Sequence, residues 1–193
     1  EGERHIFRPE TARKMSQSPG RERLHGRLSI CQFSLVRFPC SRTWGPMTPS
    51  LAPLTPEQQA WIQAQLTEAR RFVDAFSPDD AEHPLSVGAL DRALAAWLGR
   101  EVSEPAEATA AIHAVGVAFG QSLVQGLGMR WVAVVDQRGS ELAVHGLPGR
   151  GDVTIFPSHL VATRYQQGHP HFLVRSYHQI ASHLRAMGGW GAE

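Results

Sequence analysis

From Ala108 to Met129 the chain carries no formally charged side chain. A stretch that apolar must leave water somewhere. It is long enough to span a bilayer. However, His113, Gln121, Ser122 and Gln125 interrupt it, four glycines weaken it, and no basic flank anchors its N-terminal end. The pattern therefore predicts a central core helix over about 105–126. It begins near Pro105, carries Ile112, Val115, Phe119, Leu123 and Val124, and ends at Gly126 and Gly128. Gly116 and Gly120 lie one turn apart on one face, so another element can approach closely there, and bulky side chains at either should be badly tolerated.

Two helices precede this segment. Over about 56–76, Thr55 can cap, Pro56 suits the first turn and Gln58 completes a capping box. The expected inward stripe there is Trp61, Ile62, Leu66, Ala69, Phe72, Val73 and Phe76. Over about 87–98, Val87, Leu90, Leu94, Trp97 and Leu98 share one side before Gly99. Strand signals follow. Trp131 to Val135 is an unbroken apolar run, Asp136-Gln-Arg-Gly139 is a turn, Glu141 to His145 alternates, and Asp152 to Phe156 supplies a third strand. The short 146–151 link favours an antiparallel meander. One conflict stands: a three-strand meander makes the alternating second strand central, whereas the doubly apolar strand is the first. The chain closes with a short helix capped by Ser158 and running to Gly168, and a longer one from Pro170. The expected fold class is α+β, a three-stranded antiparallel sheet with about five helices in the order ααα-βββ-αα.

The expected domain is 53–187. Residues 1–52 read as a disordered or non-native basic leader with a true start at Met47, and 188–193 as a flexible tail. Residues 1–46 hold nine Lys/Arg against four Asp/Glu, whereas 47–193 hold ten Arg, no Lys and fourteen Asp/Glu. The whole chain is near neutral, at +1, and lacks the dense basic cluster of a nucleic-acid or membrane binder. Both cysteines, Cys31 and Cys40, fall in the leader, and no secretory apolar stretch precedes residue 50. The expectation is a cytoplasmic protein with an unknown protein partner, without nucleic acid or membrane as partners.

Chemical motifs are sparse. Eight of the ten histidines follow residue 47, and His169, His171, His178 and His183 cluster near the C-terminus. No Asp, Glu or Cys lies between 165 and 187 to complete a zinc tetrahedron, so neither metal nor cofactor is expected. Asp79-Asp80-Ala81-Glu82-His83 lacks calcium-loop spacing and reads as a solvated linker. Gly120-Gln121-Ser122 is no nucleophile elbow, because it lacks a second Gly and lies in a helix. Gly146-Leu-Pro-Gly149-Arg-Gly151 reads as a connector, with Arg150 a candidate anion contact. On the hairpin, Glu141 and His145 should share a face, with Asp136 across the turn and Trp131 beside them. Asp136, Glu141 and His145 are the candidate catalytic groups, Trp131 and Arg150 the candidate binding groups, and Gly116, Gly120, Gly139 and Pro157 the candidate structural positions.

Several short motifs occur in a recognisable order: Ala118-Phe119-Gly120-Gln121-Ser122-Leu123-Val124, Leu127-Gly128-Met129-Arg130-Trp131-Val132, Asp136, Gly139, Glu141-Leu142-Ala143-Val144-His145 and Val153-Thr154-Ile155-Phe156-Pro157. Over about 105–187 the chain resembles a bacterial family of domains of unknown function, the one numbered 3806. The resemblance implies an α+β domain with no established activity and transfers no catalytic residue. The chain thus reads as a non-enzymatic protein-binding module, of adaptor, chaperone-like or immunity-like type. The alternative is a small acid/base or hydrolytic enzyme using His145 with Asp136 or Glu141, which requires those groups to converge.

Overall fold

The fold is built outward from its apolar helix. The computed structural model describes residues 49–80, 83, 85–100, 104–137, 139–149 and 152–187. The leader before Pro49, Met47, Arg150 and the 188–193 tail lie outside the described residues. Among those described, the elements in chain order are β1 (Ser50–Ala52), α1 (Pro56–Phe76), α2 (Val87–Leu98), α3 (Pro105–Leu127), β2 (Arg130–Asp136), β3 (Gly139–Gly146), β4 (Val153–Ile155), α4 (Pro157–Gln166) and α5 (Leu173–Ala186). A single 3-10 turn, Pro78–Asp80, sits between α1 and α2.

The expectation of three strands is corrected to four, in the spatial order β1-β2-β3-β4 and antiparallel throughout. The added strand lies ahead of residue 53, where Ser50 pairs with Val135 and Ala52 with Ala133. It resolves the meander conflict. With β1 on its outer side, β2 is an interior strand, which suits its unbroken apolar run. Three residues carry no periodic signature of their own, and this pairing reaches across the whole of α1 to α3, so nothing local announces it.

Local capping chemistry sets most helix boundaries. The Thr55 side chain accepts from the Gln58 N–H while Gln58 Oε1 accepts from the Thr55 N–H, a complete capping box, with Pro56 at the first turn. Ser86 caps α2 by accepting from the Ala89 N–H. α3 ends at Gly128, whose φ of 58° is the left-handed C-terminal geometry glycine adopts without strain. Gly126 stays inside the helix, with the Tyr177 hydroxyl packed against it, so it does not act as the expected stop. Asp80 is part of the framework as well. It takes a two-pronged contact from Arg92 and a bond from Ser77, and the Arg92 hydrogen bond leads in holding its pKa down at about 2.

α3 is the hub of the core. Val115, Val117, Phe119 and Leu123 are buried among side chains of α1, α2, β3, β4, α4 and α5. By length and composition it could cross a membrane, but 56% of its most apolar window is buried inside this domain. The two expected close approaches are present. A Cβ at Gly116 would sit 2.6 Å from the Ser158 Cα, and one at Gly120 would sit 2.5 Å from the Trp131 ring and 2.8 Å from Pro157. Gly116 and Gly120 thus seat the start of α4 and the strand β2 against α3.

The C-terminal helices depart from the expected caps. α4 starts at Pro157, so Ser158 lies within its first turn against Gly116 and caps nothing. α5 starts at Leu173, and His171 lies before it with a φ of 56°. Phe172 offers no side-chain cap. The buried Asp91 carboxylate on α2 accepts the Leu173 N–H at 2.8 Å, supplying the missing acceptor from another helix.

Candidate functional site

The hairpin places the expected acid and base groups far apart. Register pairs Arg130 with His145, Val134 with Glu141 and Asp136 with Gly139. Glu141 and His145 therefore share a face, but four residues of extended strand separate them by about 13 Å. Asp136 lies at the turn, beside Gly139 with its φ of 133°. Trp131 is paired with Val144 on the opposite face and turns its ring to α3, donating to Gln121 Oε1 at 3.0 Å. Its place is against the core, which corrects the expectation that it stands beside Glu141 and His145. Arg150, the other candidate binding group, falls outside the described residues.

His145 is 2% exposed. Its Nδ1 shares a hydrogen bond with Thr154 Oγ1 at 3.1 Å across to β4, and its Nε2 lies 3.6 Å from Asp152 Oδ1, too far for a hydrogen bond. Burial is the leading cause that lowers its pKa; the Asp152 charge opposes the shift, and the facing Arg130 adds to it. The β3–β4 loop is unusual in its backbone. Leu147, Gly149 and Asp152 all have positive φ, and the Asp152 carboxylate ties the loop by accepting the Gly149 N–H at 2.9 Å. This histidine is a joint between strands.

A different group of residues converges at the surface. Glu141 Oε1 accepts from His159 Nε2 at 2.5 Å, joining β3 to α4. The His159 ring stacks on Phe156 with centroids 5.6 Å apart. On the neighbouring α3, His113 meets Trp61 of α1 edge-on at 5.8 Å. Gly116, one turn after His113, lies against Ser158, the neighbour of His159, which brings the two imidazoles into one neighbourhood. Desolvation lowers the His113 pKa most, and the charge of His159 lowers it further. Gln58 of α1 donates to Ser140 Oγ at 3.2 Å and fastens α1 to β3 nearby. The outcome is a strip of four rings, Trp61, His113, His159 and Phe156, with a carboxylate at its side.

Trp61 is the strip's most exposed large apolar side chain, at 38%. The sequence pattern assigns it to the inward stripe, but that stripe narrows to Ile62, Leu66, Ala69 and Val73. Trp61 sits off its edge because α3 occupies the face next to it. Sequence reasoning found Glu141 and missed His113, His159 and Trp61. The available signal was weak: His113 is a polar interruption of an apolar helix, and only the approach of α4 at Gly116 brings His159 beside it.

The C-terminal histidines form no comparable group. His171 Nδ1 stands 3.7 Å from the Asp91 carboxylate, while His178 lies on α5 edge-on to Tyr177. Among the described residues, no group of three or more His, Cys, Asp or Glu side chains is placed to hold a metal ion.

The arrangement defines an α+β domain in which a four-stranded antiparallel meander packs on a central apolar helix. Residues 92–177 match the family model described as Domain of unknown function (DUF3806), so this segment of the chain is similar to that family. The match runs from α2 into α5. It includes His113, Glu141 and His159 and leaves Trp61 outside. No curated protein and no solved structure matches the chain.

Proposed function

We propose that this domain is a non-enzymatic protein-binding module whose contact surface is the ring strip on α1, α3 and α4. The observation that carries the reading is the exposed Trp61 beside His113, in line with His159 and Phe156 and bordered by Glu141. Large aromatic side chains that remain in water on the free protein gain most when a partner removes that water. The catalytic alternative has less to stand on, since His145 is enclosed between strands and Glu141 is engaged by His159.

The test is affinity capture from lysate of the source cells, using the full chain and its Trp61→Ala form side by side. The expected result is a stoichiometric protein retained by the first and lost by the second. Equal retention by both, or no partner together with measurable turnover that depends on His145, would remove the reading.

A further inference from the structure

We propose that His145 is an acid-sensitive switch: when its ring takes up a second proton, the Asp152 carboxylate leaves the Gly149 N–H and pairs with the imidazolium. The device is separate from the ring strip.

One oxygen atom sets up the choice. Asp152 Oδ1 accepts the Gly149 N–H at 2.9 Å, and the same atom stands 3.6 Å from His145 Nε2. A neutral imidazole carries a single N–H, and His145 Nδ1 already lies 3.1 Å from Thr154 Oγ1. With the proton on Nδ1, the ring turns an acceptor nitrogen toward an acceptor oxygen, and the 3.6 Å separation fits that state. With both nitrogens protonated, Nδ1 donates to Thr154 and Nε2 donates to Asp152. A charge-assisted N–H···O bond draws in to about 2.8 Å. Asp152 is the partner that moves, because its side chain is 60% exposed whereas that of His145 is 2% exposed.

The backbone is poised for the exchange. Leu147 and Asp152 have φ of 54° and 43°, a left-handed region that residues with side chains occupy at a cost. The carboxylate bond to Gly149 and the bond from the Asp152 N–H to the Leu147 carbonyl at 3.2 Å hold them there. Taking the first away loosens the turn. Among the described residues, the charges that face His145 are Asp152, which favours the second proton, and Arg130 across on β2, which opposes it together with burial. Thr154 on β4 is neutral, and Met129 and Leu184, which reach the adjoining Gly146, are apolar. The ring is therefore neutral at neutral pH and charges below the ordinary 6.5.

The experiment is NMR on the full chain, following the His145 ring nitrogens and the exchange of the Gly149 amide with water from about pH 8 to about pH 5. After correction for the intrinsic pH dependence of exchange, the Gly149 rate should rise about tenfold as His145 charges, while the Phe119 amide in α3 stays protected. In Asp152→Asn, His145 should take its proton at lower pH and Gly149 exchange should no longer follow it. His145→Gln should remove the step, and Arg150→Gln, in the same turn, should keep it. Asp152→Asn alters an exposed side chain and keeps the test decisive if His145→Gln fails to fold. No step in the parent, a step that persists in Asp152→Asn or in His145→Gln, or one lost in Arg150→Gln overturns the proposal. So does loss of Phe119 protection in the same step, which would be unfolding of the domain.

Discussion

His145 and His159 each face a carboxylate, and their surroundings give the two side chains different work. His145 is closed between β3 and β4, with Asp152 at 3.6 Å and a hydrogen bond to Thr154. His159 is 32% exposed and takes Glu141 at 2.5 Å on a surface lined with rings. The shorter contact is the less costly one to lose. An exposed ion pair trades one set of partners for water, whereas a buried imidazole that is removed leaves a void and an unpaired hydroxyl. Contact distance alone would reverse the ranking; burial decides it.

The sharpest way to break this comparison is to disturb the support shared by both neighbourhoods. Gly120→Val should destabilise the domain by about 3 kcal/mol, because the added carbons meet the Trp131 ring of β2 and the Pro157 ring that begins α4. Urea unfolding measures it, and a variant as stable as the parent would mean that α3 does not seat β2 and α4 as described.

Next in size is His145→Ala, expected to cost about 2 kcal/mol through the lost packing and the stranded Thr154 hydroxyl. It should also change the response to acid. The folded-state pKa values of His145 and His113 lie below the ordinary 6.5, so below that pH the unfolded chain binds more protons than the folded one. Their contribution is fully present above about pH 6.5 and is lost as pH falls toward the depressed folded values. Stability measured by urea unfolding should therefore decline on acidification through this window. His145→Ala should make the decline shallower, leaving the part that belongs to His113, and an unchanged slope would count against the enclosed setting of His145.

The smallest effect belongs to His159→Ala. Loss of an exposed pair should move stability by less than about 0.5 kcal/mol while weakening partner binding. If unfolding instead shifts by as much as in His145→Ala, the strip is a structural joint and the contrast between the two histidines disappears.

Much of the framework was legible along the chain because its causes are local. Thr55, Pro56 and Gln58 start α1, Gly99 ends α2, Gly128 stops α3, and the Asp136 to Gly139 turn closes the hairpin, each through atoms a few residues apart. The Gly116 and Gly120 pairing was also readable, since two missing side chains one turn apart leave a gap that something must fill. The site was far less legible. Glu141 was marked as titratable, but its partner was taken to be His145 on the same strand face, and the true partner comes from the next helix.

What the amino-acid order determined by itself was the identity of the helices, the hairpin and the apolar stretch that had to be interior, because propensity, capping and hydrophobic period act within a few residues. Only the tertiary structure decided that Ser50–Ala52 completes the sheet, that Asp91 caps a helix far along the chain, that Trp61 faces outward and that the start of α4, with His159, approaches α3 at Gly116, one turn from His113. Those outcomes depend on which segments arrive beside one another. Long-range pairing is governed by chain closure and packing, and it leaves no periodic mark in the residues that take part.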